Sequence, residues 1–73
     1  MEDRIKQVLS DVLNIDIKYI NNKTSTKNNE SWDSLKHMNL IIALEEEFNI
    51  ELTDEEILLG MDYESIVGIL NDK

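Results

Sequence analysis

Apolar residues in this chain recur at steps of three and four and nowhere alternate over a useful length. That pattern excludes a sheet with one buried face and leaves helices whose apolar stripes must cover one another. The stretch MEDRIKQVLSDVLNI carries Ile5, Val8, Leu9, Val12 and Leu13 at this spacing, which predicts an amphipathic first helix. A second is expected to begin at Asp33 or Ser34, either of which can cap it, and to run to Phe48 or Asn49. In IELTDEEILLGM, Thr53 is followed three residues on by Glu56, a capping-box pattern that opens a short third helix, and Gly60 can end it. Asp62 can cap a last helix carrying Tyr63, Ile66, Val67, Ile69 and Leu70, although Gly68 inside it costs about 1 kcal/mol relative to Ala. The expected fold is all-α, a small four-helix bundle of three longer helices and one short third helix.

Between the first and second helices lies a long loop. Ile17 and Ile20 could dock on the core, but residues 21–31 are rich in Asn, Ser and Thr and hold no apolar residue. A loop this long in a small domain is more often functional than not.

At 73 residues the chain is expected to form a single domain, 1–73. A domain of this size buries only about 60% of its unfolded surface, so a deep catalytic cavity is not expected. The chain has no Cys and one His, His37, which removes disulfides, thiolate chemistry and structural zinc. No calcium-loop pattern is present, so no metal site is expected. No apolar run approaches the roughly 20 residues of a membrane span, and MEDRIKQ does not read as a signal peptide, so the expected location is the cytoplasm. Seven basic against sixteen acidic residues give a net charge of −9. That charge repels nucleic acid and anionic membranes and steers the chain toward basic patches on other proteins. Nine acidic residues and no basic one lie between Glu45 and Glu64, either a solvated face or a docking surface.

The segment ESWDSLKHMNL brings Asp33, Ser34 and His37 within five positions, which raises the question of a hydrolase. A nucleophilic Ser needs a base in reach and a third group orienting that base. Ser34 and His37 are neighbours at i and i+3, but Asp33 at the helix start cannot easily reach the far side of His37, and no Gly-x-Ser-x-Gly elbow is present. No catalytic residue is therefore assigned. On a helical wheel, Leu40, Ile41, Leu44 and Phe48 fall on one arc with His37 among them, while Leu35, Met38 and Ile42 fall on another beyond Glu45. The combined arc is too wide for a helix that buries one stripe. Either the helix is buried on two sides, or one stripe faces the core and the other faces a partner; periodicity alone leaves both open.

Asp-Ser-Leu, followed by an apolar helix ending ALEEEF and then by IELTDEEI, resembles the acyl carrier protein family over the whole chain. The resemblance implies that Ser34 is not a catalyst. It implies instead that Ser34 is the hydroxyl on which a phosphopantetheinyl transferase places 4′-phosphopantetheine from coenzyme A, with Asp33 and Leu35 as motif neighbours. The first turn of a helix exposes such a hydroxyl, and the helix N-terminus favours the phosphodiester's negative charge. It further implies a monomeric, non-catalytic carrier of acyl thioesters. Leu35, Met38 and Ile42 would be apolar partner contacts flanked by Glu45 and Glu46, docking acyl-loading and acyl-transferring enzymes through their basic patches. Leu40, Ile41, Leu44 and Phe48 would then face Ile5, Val8, Leu9, Val12, Ile66, Val67 and Leu70. Some positions depart from the common fatty-acid-synthesis pattern: Lys36 and Asn39 stand where acidic residues are usual, and Trp32 where a small one is. Trp32 would fill space that apolar loop residues usually occupy and that Thr26 and Glu30 do not. A carrier dedicated to one pathway (polyketide, peptide, lipid or surface-polysaccharide acylation) is thus at least as consistent as fatty-acid synthesis. An aminoacyl or peptidyl carrier and an unmodified acidic interaction module are the alternatives.

Overall fold

A computed structural model describes residues 2–73, and four α-helices account for most of them: α1 (Glu2–Leu13), α2 (Ser34–Phe48), α3 (Asp54–Leu59) and α4 (Tyr63–Asn71). A single 3-10 turn, Ile17–Tyr19, interrupts the connection between α1 and α2. The helix starts follow from side chains at each N-terminus. Asp33 Oδ1 accepts from the Lys36 N–H at 2.8 Å, and Asp62 Oδ1 from the Ser65 N–H at 2.6 Å. Thr53 and Glu56 form the reciprocal capping box, at 3.1 and 2.9 Å. With no Pro available, the chain stops α1 and α2 at Asn14 and Asn49, both left-handed at φ 57° and 54°, a conformation Asn tolerates.

The buried side chains form one cluster. Ile5, Leu9 and Leu13 of α1 meet Leu40 and Leu44 of α2 and Tyr63, Ile66 and Leu70 of α4. Val12, Phe48 and Val67 pack half-buried at its margin. α1 and α2 run antiparallel, closed at one end by Arg4, whose Nε donates to Glu47 Oε2 at 2.9 Å while its guanidinium lies 4.9 Å from the centre of the Phe48 ring. This exposed pair contributes little stability but fixes the register. Tyr63, fully buried, donates its phenol hydroxyl to Glu2 Oε1. Burial and that carboxylate push the phenol up to about 12.

The first loop is held by its polar residues. Asn21 Oδ1 accepts from Lys23 N–H, Asn28 Oδ1 from Ser25 N–H, and the buried Thr24 hydroxyl accepts from Asn21 N–H. Thr24 and Thr26 pair with the segment joining α3 to α4: Thr26 N–H donates to Met61 O at 3.0 Å, and Tyr63 N–H to Thr24 O at 2.9 Å. Ile20 docks on the core at 3% exposure, but Ile17 does not and stands 39% exposed. The expectation that both could dock is corrected by the 3-10 turn. Ile20 leaves that turn in extended conformation and points inward, while Ile17 opens the turn on its solvent side. Trp32 is the loop's second anchor, 2% exposed. With both anchored, the Cα radius of gyration is 10.8 Å, against about 11 Å expected for a chain of this length.

Candidate functional site

Ser34 is the first residue of the 15-residue α2, exposed, and preceded by the capping Asp33. The cap draws the Asp33 carboxylate onto the Lys36 N–H, and the Asp33 carbonyl accepts from His37 N–H at 2.8 Å. Asp33 is thereby committed to starting the helix. The Ser34 side chain is left at the rim of an open groove lined by Thr26, Trp32, Asp33, His37 and Met61.

His37 answers the hydrolase question. Its ring is buried, and both nitrogens are engaged: the Trp32 indole N–H donates to Nδ1 at 3.0 Å, and Nε2 lies 2.9 Å from the Ile57 carbonyl oxygen. A carbonyl oxygen only accepts and an indole N–H only donates. One arrangement satisfies both, the neutral imidazole with its proton on Nε2. Neither nitrogen remains to take a proton from Ser34, so Asp33, Ser34 and His37 do not form a nucleophile, base and orienter. Among the described residues no group of three His, Cys, Asp or Glu side chains is placed to hold a metal ion.

The two apolar arcs of α2 separate in space. Leu40, Ile41 and Leu44 are buried, while Leu35, Met38 and Ile42 are 71%, 47% and 51% exposed. Glu46 is exposed beside them. Glu45 has a structural duty as well: its Oε2 accepts from Leu52 N–H at 2.8 Å and ties the segment after α2 back onto the helix. The exposed apolar surface is larger than the sequence pattern suggested. Leu58, Leu59 and Met61 are also exposed, the last on the rim of the Ser34 groove. A six-residue helix cannot bury a run of Ile57, Leu58 and Leu59 on one face, and that run was the available signal. Thr26 lines the groove too, which the backbone pairing of the loop with Met61 brings about.

Among the described residues no helix is long and apolar enough to cross a membrane. Residues 3–71 match the family described as phosphopantetheine attachment site. The chain is 37% identical over 73 residues, all of its length and 92% of the relative's, to a protein named acyl carrier protein from Buchnera aphidicola subsp. Schizaphis graminum (strain Sg). It is 45% identical over 56 residues to the protein of the same name from Buchnera aphidicola subsp. Acyrthosiphon pisum (strain Tuc7), covering 77% of this chain and 70% of that one.

Proposed function

The chain belongs to the acyl carrier protein family, and on that premise we propose that Ser34 is its attachment residue and the exposed arc of α2 its docking face. It is a carrier and not an enzyme, and its cofactor is covalently attached 4′-phosphopantetheine. The family's partners are acyl-handling enzymes and a phosphopantetheinyl transferase.

The observation that carries the Ser34 assignment is its position: an exposed hydroxyl on the first residue of a capped 15-residue helix, beside a His with no free nitrogen. The Ser34 oxygen forms a bond to the phosphorus of coenzyme A's phosphopantetheine. The pyrophosphate bond breaks, adenosine 3′,5′-bisphosphate leaves, and the hydroxyl proton passes to a base of the transferase. The first-turn N–H groups of α2 and the positive end of its dipole favour the phosphodiester anion at that point. When bound, the arm supplies the thiol that this Cys-free chain lacks, and acyl groups ride on it as thioesters.

Leu35, Met38 and Ile42 offer an apolar strip beside the arm, and Glu46 and the other oxygen of Glu45 flank it toward the C-terminal end of α2. A basic patch on a partner complements that end. Lys36 stands at the other end, so the helix start is less acidic than its remainder. This is at least as consistent with a carrier for a dedicated acylation pathway as with one shared by a general fatty-acid synthase, and the chain 1–73 acts as one carrier domain. The test is intact mass, with wild type and Ser34→Ala each incubated with coenzyme A and a broad-specificity transferase. Wild type is expected to gain one phosphopantetheinyl group and the variant none. Wild type left unmodified by several transferases would refute the assignment.

A further inference from the structure

A part-open apolar pocket of about 10 Å³, room for no more than one water, lies between α2, α3 and α4, with Ile41, Leu44, Leu52, Gly60, Ile66 and Leu70 among its walls. Its α2 wall continues a single stripe of the helix. Ser34, His37, Ile41 and Leu44 follow one another at steps of three and four, so the His37 ring stands between the Ser34 end and the cavity. On the opposite wall, Ile57 sits between Glu56 and Gly60, two residues that line the cavity, and its carbonyl accepts the His37 Nε2 proton. Trp32 holds the same ring from its other nitrogen. The Lys73 ammonium, 2.8 Å from Glu56, also ties α3 to the C-terminal end of the chain.

We propose that Trp32, His37 and the Ile57 carbonyl form a latch that shuts this cavity to anything carried at Ser34. The inference rests on Ser34 as the attachment residue. The cargo then rides outside the bundle, and the carrier suits short or polar acyl groups, which lose little by staying in water, over long alkyl chains, which need cover. A long chain entering from the Ser34 end would have to pass the His37 ring and break the α2–α3 bond. That would leave the His37 Nε2 proton and the Ile57 oxygen without partners in an apolar interior. It would also have to enlarge a space that now holds one water at most.

The absence of Cys allows a test that needs no transferase. Ser34→Cys is coupled through a disulfide to a methyl or an octyl group by reaction with the alkyl methanethiosulfonate. Ser34 to Ile41 is seven residues, about 10 Å along the helix, within reach of the octyl chain. Methyl resonances of Ile41, Leu44, Ile66 and Leu70 and the thermal midpoint are compared between adducts. With His37 in place, the octyl and methyl adducts are expected to coincide in both readouts. With His37→Ala added, the octyl adduct is expected to shift those resonances and to melt higher than its methyl counterpart. If His37→Ala does not fold, Trp32→Phe, which keeps the bulk and removes the indole donor, takes its place with the same expectation in weaker form. Octyl-induced shifts at the cavity methyls with the latch intact would overturn the proposal, as would none after it is cut. Failure of the chain to accept phosphopantetheine would count against Ser34 as attachment residue and leave this comparison readable on its own.

Discussion

Ile42 and Leu44 lie two residues apart on one helix, and truncating each to Ala separates a docking face from a core. Leu44 is 1% exposed and packs among Leu9, Leu40 and Ile66 of the core cluster. Leu→Ala at such sites costs about 2.7–5 kcal/mol, the transfer of the lost carbons plus the cavity left behind. A domain of this length has about 4–11 kcal/mol of stability in all, so Leu44→Ala removes a large share of it. Ile42 is 51% exposed, so about half of the roughly 2–3 kcal/mol available from burying an Ile is realised, and Ala retains part of that. Ala is also a better helix former than Ile by some tenths of a kcal/mol. The expected net cost of Ile42→Ala is therefore below about 1 kcal/mol. Urea denaturation of the two variants measures this directly, with unchanged m-values showing that both stay two-state. Binding to an acylating partner, read as salt-dependent affinity, should fall for Ile42→Ala and for Met38→Ala while their stability stays near that of wild type. A cost for Ile42→Ala as large as that for Leu44→Ala would refute the division of α2 into an inner and an outer stripe.

Trp32→Phe should cost about 1–3 kcal/mol, because His37 Nδ1 loses its donor while remaining buried, and chemical denaturation measures it. The Tyr63 phenol is raised from 10.0 to about 12 by burial and by Glu2, so its contribution is complete below pH 10 and is lost as pH rises from there toward 12. A Tyr63→Phe variant should lack that alkaline loss in pH-dependent unfolding. The Lys73 hydrogen bond and the capping box hold the Glu56 carboxyl below its ordinary value of 4.5. That contribution is present above pH 4.5 and lost as pH falls below it, and Glu56→Gln should flatten this part of the acid profile. Gly68 is exposed within α4, and a Cβ there meets nothing within 4 Å, so Gly68→Ala should stabilise by about 0.5–1 kcal/mol, read from the thermal midpoint.

What could be read from the sequence was local in the chain. Asp33, the Thr53–Glu56 pair and Asp62 cap their helices through bonds spanning three residues, and the spacing of side chain and N–H is set by the helix itself. Ser34 at the head of α2 follows from the same geometry. The division of α2 into two stripes was visible as a broad arc, but which stripe is covered depends on α1 and α4, and a wheel holds no information about neighbours. The long-range polar contacts were out of reach. His37 reaches Ile57 over 20 residues, and Thr24 and Tyr63 meet across the whole of α2 and α3. Residues 21–31 read as loop because they lack apolar side chains, yet their Asn and Thr side chains accept from backbone N–H groups closely enough to bury Thr24. Ile17 and Ile20 look alike in the sequence and differ only through a three-residue turn between them.

These contacts bear on how so small a chain presents its site. Its one core must serve four helices and a connection from residue 14 to residue 33, and the connection contributes just two fully covered apolar side chains, Ile20 and Trp32. Trp32 immediately precedes the cap of α2. Its indole therefore cannot be displaced without disturbing Asp33 and Ser34 next to it, and its hydrogen bond passes that constraint through His37 to α3. Loop, helix start and α3 are thus restrained by one polar chain of three groups, which a core of this size would otherwise have to restrain by area. The consequence is a division of labour along α2. The first turn, where on the proposed assignment a transferase would find the Ser34 hydroxyl in a set place, is pinned from two sides. The outer strip of Leu35, Met38 and Ile42 is about half exposed or more, so a partner can bury the remainder with little rearrangement of the carrier.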